Sequence, residues 1–272
     1  MRRSLSTLVL AWLCCLLASA ASAASAAPPS LFIEELSWTE LRDAIGSGHT
    51  TIIIPVGGTE QNGPHMVLGK HNLRARALAG RIAAELGNAL VAPVVAYVPE
   101  GSIDPPGGHM RFPGTISIPD AAFRGVLEGA ARSFRQAGFR DVVLIGDSGN
   151  YQGELKAVTT KLNREWARAK TRAHFIGDYY ATVQGAYVQA LRDKGLSPAQ
   201  IGTHAASADT ALTLAIEPGA VRKDRLALQD ERSSGVAGDP RAASAALGQL
   251  GVELIVARSV AAIRRAIDTP QN

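Results

Sequence analysis

Two short runs constrain this chain most: Thr51–Val56, reading Thr-Ile-Ile-Ile-Pro-Val, and residues 141–145, reading Asp-Val-Val-Leu-Ile. Both are apolar at consecutive positions, not at alternate ones. A strand with one wet face alternates, so a continuous β-branched run belongs to a strand covered on both faces. Strands of that kind lie in parallel sheets between two helical layers. The segments between them fit. Residues 72–86 space Leu73, Ala77, Leu78 and Ile82 on one helical face and end at Gly87, and residues 120–137 read as a second helix before Gly138. Ser37 followed by Glu40 reads as a capping box opening a short helix to about residue 45. Further strands are expected at 89–98, 116–118 and 173–176, and further helices at 153–168, 180–194, 207–216 and 242–267, the last with a break at Gly251. Residues 223–240 read as a surface excursion. The expectation is a single three-layer α/β/α domain with a mainly parallel sheet, spanning residues 31–272.

Ahead of that domain, Arg2-Arg3, an apolar run over 8–17 and the small-residue sites Ala21-Ser22-Ala23 and Ala24-Ser25-Ala26 form the pattern of a secretory signal peptide over residues 1–26. The expected location is periplasmic or secreted. Both cysteines, Cys14 and Cys15, fall within this segment, so neither a disulfide framework nor a Cys nucleophile is expected in the mature chain. No later stretch reads as a membrane span. Lys plus Arg number 28 against 24 acids, and without Arg2 and Arg3 the excess falls to two. So small an excess, with no basic cluster, excludes nucleic acid from the expected partners.

In parallel sheets ligands bind beyond the carboxyl ends of the strands, so loops following strands are where chemistry is sought. One such loop follows Val56 and reads Gly57-Gly58-Thr59-Glu60-Gln61-Asn62-Gly63-Pro64-His65, continuing to Gly69-Lys70-His71. A second, after Ile145, reads Gly146-Asp147-Ser148-Gly149-Asn150. A third polar knot is His204-Ala205-Ala206-Ser207-Ala208-Asp209-Thr210, and the Gly/Pro-rich loop 101–114 contains His109. Glu60, His71, Asp147 and His204 are the residue types of a hydrolytic metal site. Taken singly, each also reads as a turn former, a helix cap or a surface imidazole.

In order, these segments resemble the creatininase (creatinine amidohydrolase) family. The resemblance is carried by Pro55-Val56-Gly57-Gly58-Thr59-Glu60, Gly69-Lys70-His71, His109-Met110-Arg111-Phe112-Pro113-Gly114-Thr115-Ile116-Ser117, Gly146-Asp147-Ser148-Gly149-Asn150 and His204-Ala205-Ala206-Ser207-Ala208-Asp209-Thr210. It implies a creatininase-like fold and a two-metal hydrolase acting on non-peptide amide C–N bonds, including cyclic ones, through a metal-bound water. The departures fall on the ligand positions. Glu60 is kept, but the family's next histidine is Asn62, its aspartate is His71 and its second histidine is Asp147, while Asp209 stands at a family glutamate. The exchange at 71 and 147 conserves one imidazole and one carboxylate. The expected centre is therefore one divalent ion, Zn, Mn or Fe, on Glu60, His71 and Asp147 with Asp209 as an extra ligand, and the lost bridging carboxylate argues against a second ion. His204 matches the family's proton-transfer histidine. Asn62, His65, His109, Ser148 and Asn150 are the expected substrate-binding residues. The resemblance also implies a homo-oligomer, a hexamer, acting on a small molecule. Two alternatives stand beside it: a non-catalytic binding protein on the same scaffold, and a serine hydrolase using Ser148 in its Gly-Asp-Ser turn.

Overall fold

A computed structural model describes residues 27–228 and 230–269. The expected signal segment and both cysteines lie outside the described residues. Four strands, β1 (Thr51–Val56), β2 (Ala89–Val91), β3 (Asp141–Gly146) and β4 (Arg172–Phe175), form one sheet in the order β2-β1-β3-β4. Every pairing is parallel, and β1 meets β3 in register from Thr51 opposite Asp141 to Val56 opposite Gly146.

Period-two alternation of the central strands divides the core. Ile53, Val91, Val143 and Ile145 face one helical layer, and Ile52, Ile54, Leu90, Val142 and Leu144 face the other. The first layer consists of α2 (Lys70–Leu86), the segment α5 (Asp178–Thr182) to α6 (Val188–Asp193), α7 (Ser207–Ile216) and α8 (Ala245–Asp268). The second consists of α1 (Trp38–Gly46), α3 (Asp120–Ala137) and α4 (Gln152–Glu165). This is the three-layer α/β/α architecture expected from the continuous apolar runs. The Ser37–Glu40 capping box is formed, and Gly87 ends α2 at φ 80°.

Four local expectations are corrected. The strand expected at 89–98 stops at Val91, because Pro93 has no N–H to give the ladder. Beyond it only Ala92 N and Val95 N still bond to β1 carbonyls. Residues 116–118 form no strand and make two backbone bonds, to Thr59 and Val98. The helix expected at 180–194 contains a π-helical turn, Val183–Tyr187, between α5 and α6. Finally, α8 runs unbroken through Gly251, where a side-chain Cβ would come within 2.6 Å of Leu212 and 2.9 Å of Tyr187, so the glycine serves close helix packing and not a break. By length and composition α8 is apolar enough to cross a membrane, but half of its most apolar window is buried, packed on α2, α5 and α7.

Candidate functional site

The loops leaving β1 and β3 start side by side, because Val56 and Gly146 are register partners at the carboxyl ends of the two central strands. From β1 the chain crosses by α2 to β2 on one side, and β3 lies on the other. The two loops therefore open at the point where the strand order reverses, the usual ligand crevice of such sheets. One buried hydroxyl ties them together. Tyr151 Oη lies 2.9 and 2.5 Å from the carbonyls of Val56 and Gly57 as donor, and accepts from the amides of Asp147 and Ser148 at 3.1 and 3.0 Å. Gly146 makes room for that ring: a Cβ there would lie 2.6 Å from Tyr151 Cε2.

On this frame three carboxylates and three basic side chains alternate in a ring. His71 Nε2 meets Glu60 Oε1 at 2.8 Å, and His71 Nδ1 meets Asp147 Oδ2 at 2.6 Å. Arg74 Nε stands 3.1 Å from Asp147 Oδ2, and its Nη1 donates to Asp209 Oδ1 at 2.8 Å. Lys70 Nζ lies 3.0 Å from Asp209 Oδ2 and 3.9 Å from Glu60 Oε1, closing the circuit. The Lys70 contacts and the Arg74 Nε contact are charge contacts off the hydrogen-bond axis. All three bases come from the first turns of α2, and all are buried. Burial and Lys70 oppose protonation of His71, but hydrogen bonds to Asp147 and Glu60 outweigh them and raise its pKa. Burial alone would raise Glu60 and Asp209. His71 and Lys70 hold Glu60 below the usual carboxylate range instead, and Lys70 and Arg74 do the same for Asp209.

Asp147 is saturated within this ring. An ionised carboxylate offers about four lone-pair sites. Here they face His71 Nδ1, Arg74 Nε, Arg74 Nη2 at 3.4 Å and Tyr179 Oη at 2.7 Å. The ligand set expected from the sequence is thus brought together, but as successive links and not around one point. His71 lies between Glu60 and Asp147 with one ring nitrogen toward each, so a cation touching both carboxylates would have to displace the imidazole.

A different set of donor atoms does converge. One ligand atom from each of Glu60, His109 and His204 lies within 4.8 Å of the other two. Glu60 projects from the β1 loop, His109 from a 3-10 turn at Gly108–Arg111, and His204 from the segment before α7. Gln61 orients both imidazoles. His204 Nε2 sits 3.0 Å from the Gln61 carbonyl and 3.1 Å from Gln61 Nε2, while its Nδ1 lies 3.9 Å from Glu60 Oε1. Gln61 Nε2 lies 2.7 Å from His109 Nδ1, while Gln61 Oε1 accepts from the Gly63 amide. Burial first, and then the Lys70 charge, push His204 down to about 4, so its ring is neutral at ordinary pH. One carboxylate with two imidazoles suits Zn, Mn or Fe. The cleft holding these groups has a volume of about 170 Å³ and also exposes Ser148, Asn150, Tyr180 and Gln184.

The remaining expected residues divide by burial. Asn62, at the family's histidine position, points inward and its Nδ2 donates to the carbonyls of Glu60, Val67 and Leu68 at 2.9, 3.1 and 3.4 Å. His65 is buried and bonds Thr210 Oγ1 at 3.0 Å. Both hold loops together and neither lines this cleft, against their expected role as substrate contacts. Ser148 and Asn150 do line the cleft, but among the described residues no histidine is hydrogen-bonded to Ser148. Glu100 was not foreseen. Its Oε2 accepts from Asn150 Nδ2 at 2.8 Å, while Oε1 is buried without a partner among the described residues. Burial, then the charge of Glu60, push its carboxyl up to about 8. Lys70, Arg74, Gln61 and Tyr151 were also missed. For Lys70 and Arg74 a signal existed: a helix that opens with Lys70, His71 and Arg74 within its first five residues and no acid in its first turn opposes its own dipole and calls for anions nearby.

Comparison with known proteins follows the same lines. The sequence profile described as Creatininase: Creatinine amidohydrolase matches residues 34–263. Creatinine amidohydrolase of Pseudomonas putida is 30% identical over 205 residues, covering 72% of this chain and 76% of that one. The mycofactocin precursor peptide peptidase of Mycolicibacterium smegmatis is 31% identical over 224 residues, covering 73% and 78%. Among solved structures, a manganese form of creatininase superposes with TM-score 0.72 at 26% identity, over 88% of this chain and 100% of the other. A variant creatininase of Zn-Zn type superposes with TM-score 0.71 at 25% identity, over 88% and 99%.

Proposed function

The chain belongs to the creatininase family, and on that premise we propose that it hydrolyses an amide C–N bond of a small polar molecule with one divalent ion held by Glu60, His109 and His204. The observation that carries the reading is the convergence of those three donor groups at the strand ends of β1 and β3. A divalent ion held there would supply Lewis-acid polarisation of the amide carbonyl. The protein's own groups do the rest. Gln61 fixes both imidazoles, Ser148 and Asn150 offer a hydroxyl and an amide to orient the substrate, and Glu100 carries a proton beside Glu60 at neutral pH. This reading moves His204 from proton transfer to ligation, because Nε2 is committed to Gln61 and only Nδ1 faces Glu60.

A small, non-peptide substrate is favoured by the cleft: about 170 Å³ is below the range of about 300 Å³ upward usual for ligand pockets. The peptidase relatives make peptides the control class. The proposal includes export, from the N-terminal pattern, and action as a homo-oligomer. The test is elemental analysis and thermal denaturation of the mature chain with Zn²⁺ and Mn²⁺, followed by hydrolysis assays on small cyclic amides, creatinine included, and on peptides. One ion per chain, lost in His109→Ala, with activity that follows the ion, is the expected result. A protein that takes up neither metal would overturn the reading and leave a creatininase-fold binding protein.

A further inference from the structure

We propose that Lys70 and Arg74 stand in for a second divalent ion, so that this site accepts at most one where two-metal relatives accept two. The inference rests on the hydrolase reading only for the identity of the one ion that remains. It starts from the ring. Each of its three carboxylates already faces two basic side chains: Glu60 has His71 and Lys70, Asp147 has His71 and Arg74, and Asp209 has Arg74 and Lys70. The bases and the acids are equal in number, and the six groups close on themselves without any added charge.

The exchange of aspartate for histidine at 71, and of histidine for aspartate at 147, would by itself leave a usable donor inventory. The two long cations beside it remove that option. Arg74 lies across Asp147 and Asp209 with its guanidinium fully buried, and a guanidinium keeps its charge at every working pH. A dication between those two carboxylates would displace it or sit against it. Lys70 fills the gap between Asp209 and Glu60, with Nζ buried and lacking an aligned acceptor among the described residues. Asn62 does not supply the imidazole of the family's position, and its Nδ2 is held by three backbone carbonyls. Position along α2 explains the economy: residues 70 and 74 are one helical turn apart, so one face of the helix delivers both cations to one spot.

The experiment counts ions. Mature wild-type protein and an Arg74→Met variant are stripped with chelator, saturated with Zn²⁺, freed of excess and analysed for zinc per chain, with melting temperatures recorded before and after. Wild type should hold no more than one zinc. Arg74→Met, which leaves Asp147 and Asp209 short of a cation, should melt lower than wild type in chelator, hold one zinc more than wild type, and regain melting temperature as zinc is added. Should Arg74→Met not fold even with zinc, Lys70→Gln is read the same way, because it leaves the partners of Asp147 in place. Two zinc ions in wild type overturn the inference, as does a folded variant whose count equals that of wild type. The two readings fail separately. With the count repeated in Mn²⁺, neither metal in wild type with one zinc in the variant would sink the hydrolase proposal and keep this one, whereas one zinc in both would do the reverse.

Discussion

Replacing Tyr151 by phenylalanine should loosen the frame of the whole site without opening a cavity, since the change removes one oxygen from a fully buried ring. The hydroxyl has four backbone neighbours: the carbonyls of Val56 and Gly57 and the amides of Asp147 and Ser148. Two of these keep a partner without it, because Asp147 N also donates to Val56 O at 3.0 Å. The Ser148 amide and the Gly57 carbonyl lose the bond. A buried backbone group left unpaired costs about 1–3 kcal/mol, so the expected loss is about 2–6 kcal/mol, nearer the lower end because phenylalanine is the easier ring to bury. With a urea slope of about 2–3 kcal/mol per molar for a chain of this size, a loss near the lower end should lower the midpoint by about 0.7–1 M at unchanged slope. Hydrogen exchange should quicken at the Ser148 amide, and less at the Asp147 amide that keeps Val56 O, while staying slow in mid-β3. A loss below about 0.5 kcal/mol, or unchanged exchange at both amides, would show that the strand-end loops are held by something else and that the clamp has been misread.

Three further outcomes follow from the same geometry. Glu100, with a folded pKa of about 8 against an ordinary 4.5, keeps its proton longer when folded; stability should therefore fall as pH rises between those values, by about 5 kcal/mol over some 3.5 pH units at 1.36 kcal/mol each, and change little outside them. Glu100→Gln imitates the protonated form, so in chelator the variant and wild type should match near pH 4.5 and separate toward pH 8; parallel urea midpoints across that range would refute the pairing with Glu60. Asn62→His, which restores the family's residue, should cost about 1–3 kcal/mol and add no metal, since the amide it removes serves three carbonyls; a higher zinc count would show that the loop can turn outward. Gly251→Ala should destabilise by about 1–3 kcal/mol through overpacking on Leu212 and Tyr187, and a melting temperature equal to wild type would mean that α8 shifts freely.

The fold was legible where the pattern is local. The runs at β1 and β3 cannot be half-wet strands, and the Ser37–Glu40 pair and Gly87 are terminal signals that need no tertiary context. Legibility failed where a neighbour decides: residues 92–98 look like strand until Pro93 breaks the ladder, and Gly251 looks like a helix break until Tyr187 and Leu212 pack against it. In the site, Glu60, His71, Asp147, Asp209 and His204 line one cleft; for Glu60 and Asp147 that is legible in the sequence, because loops that follow adjacent parallel strands must open at the same edge of the sheet.

Sequence by itself therefore determined the layered scaffold and the set of chemical groups at its carboxyl edge. Only the tertiary structure decided how those groups are divided between ligation and ion pairing. The reason is directional. An imidazole carries its two nitrogens on opposite edges, so the same glutamate, histidine and aspartate can surround a cation or form a chain, and spacing along the polypeptide does not distinguish the two. That choice is made by where α2 delivers Lys70 and Arg74, and by how Gln61 turns His109 and His204 toward Glu60.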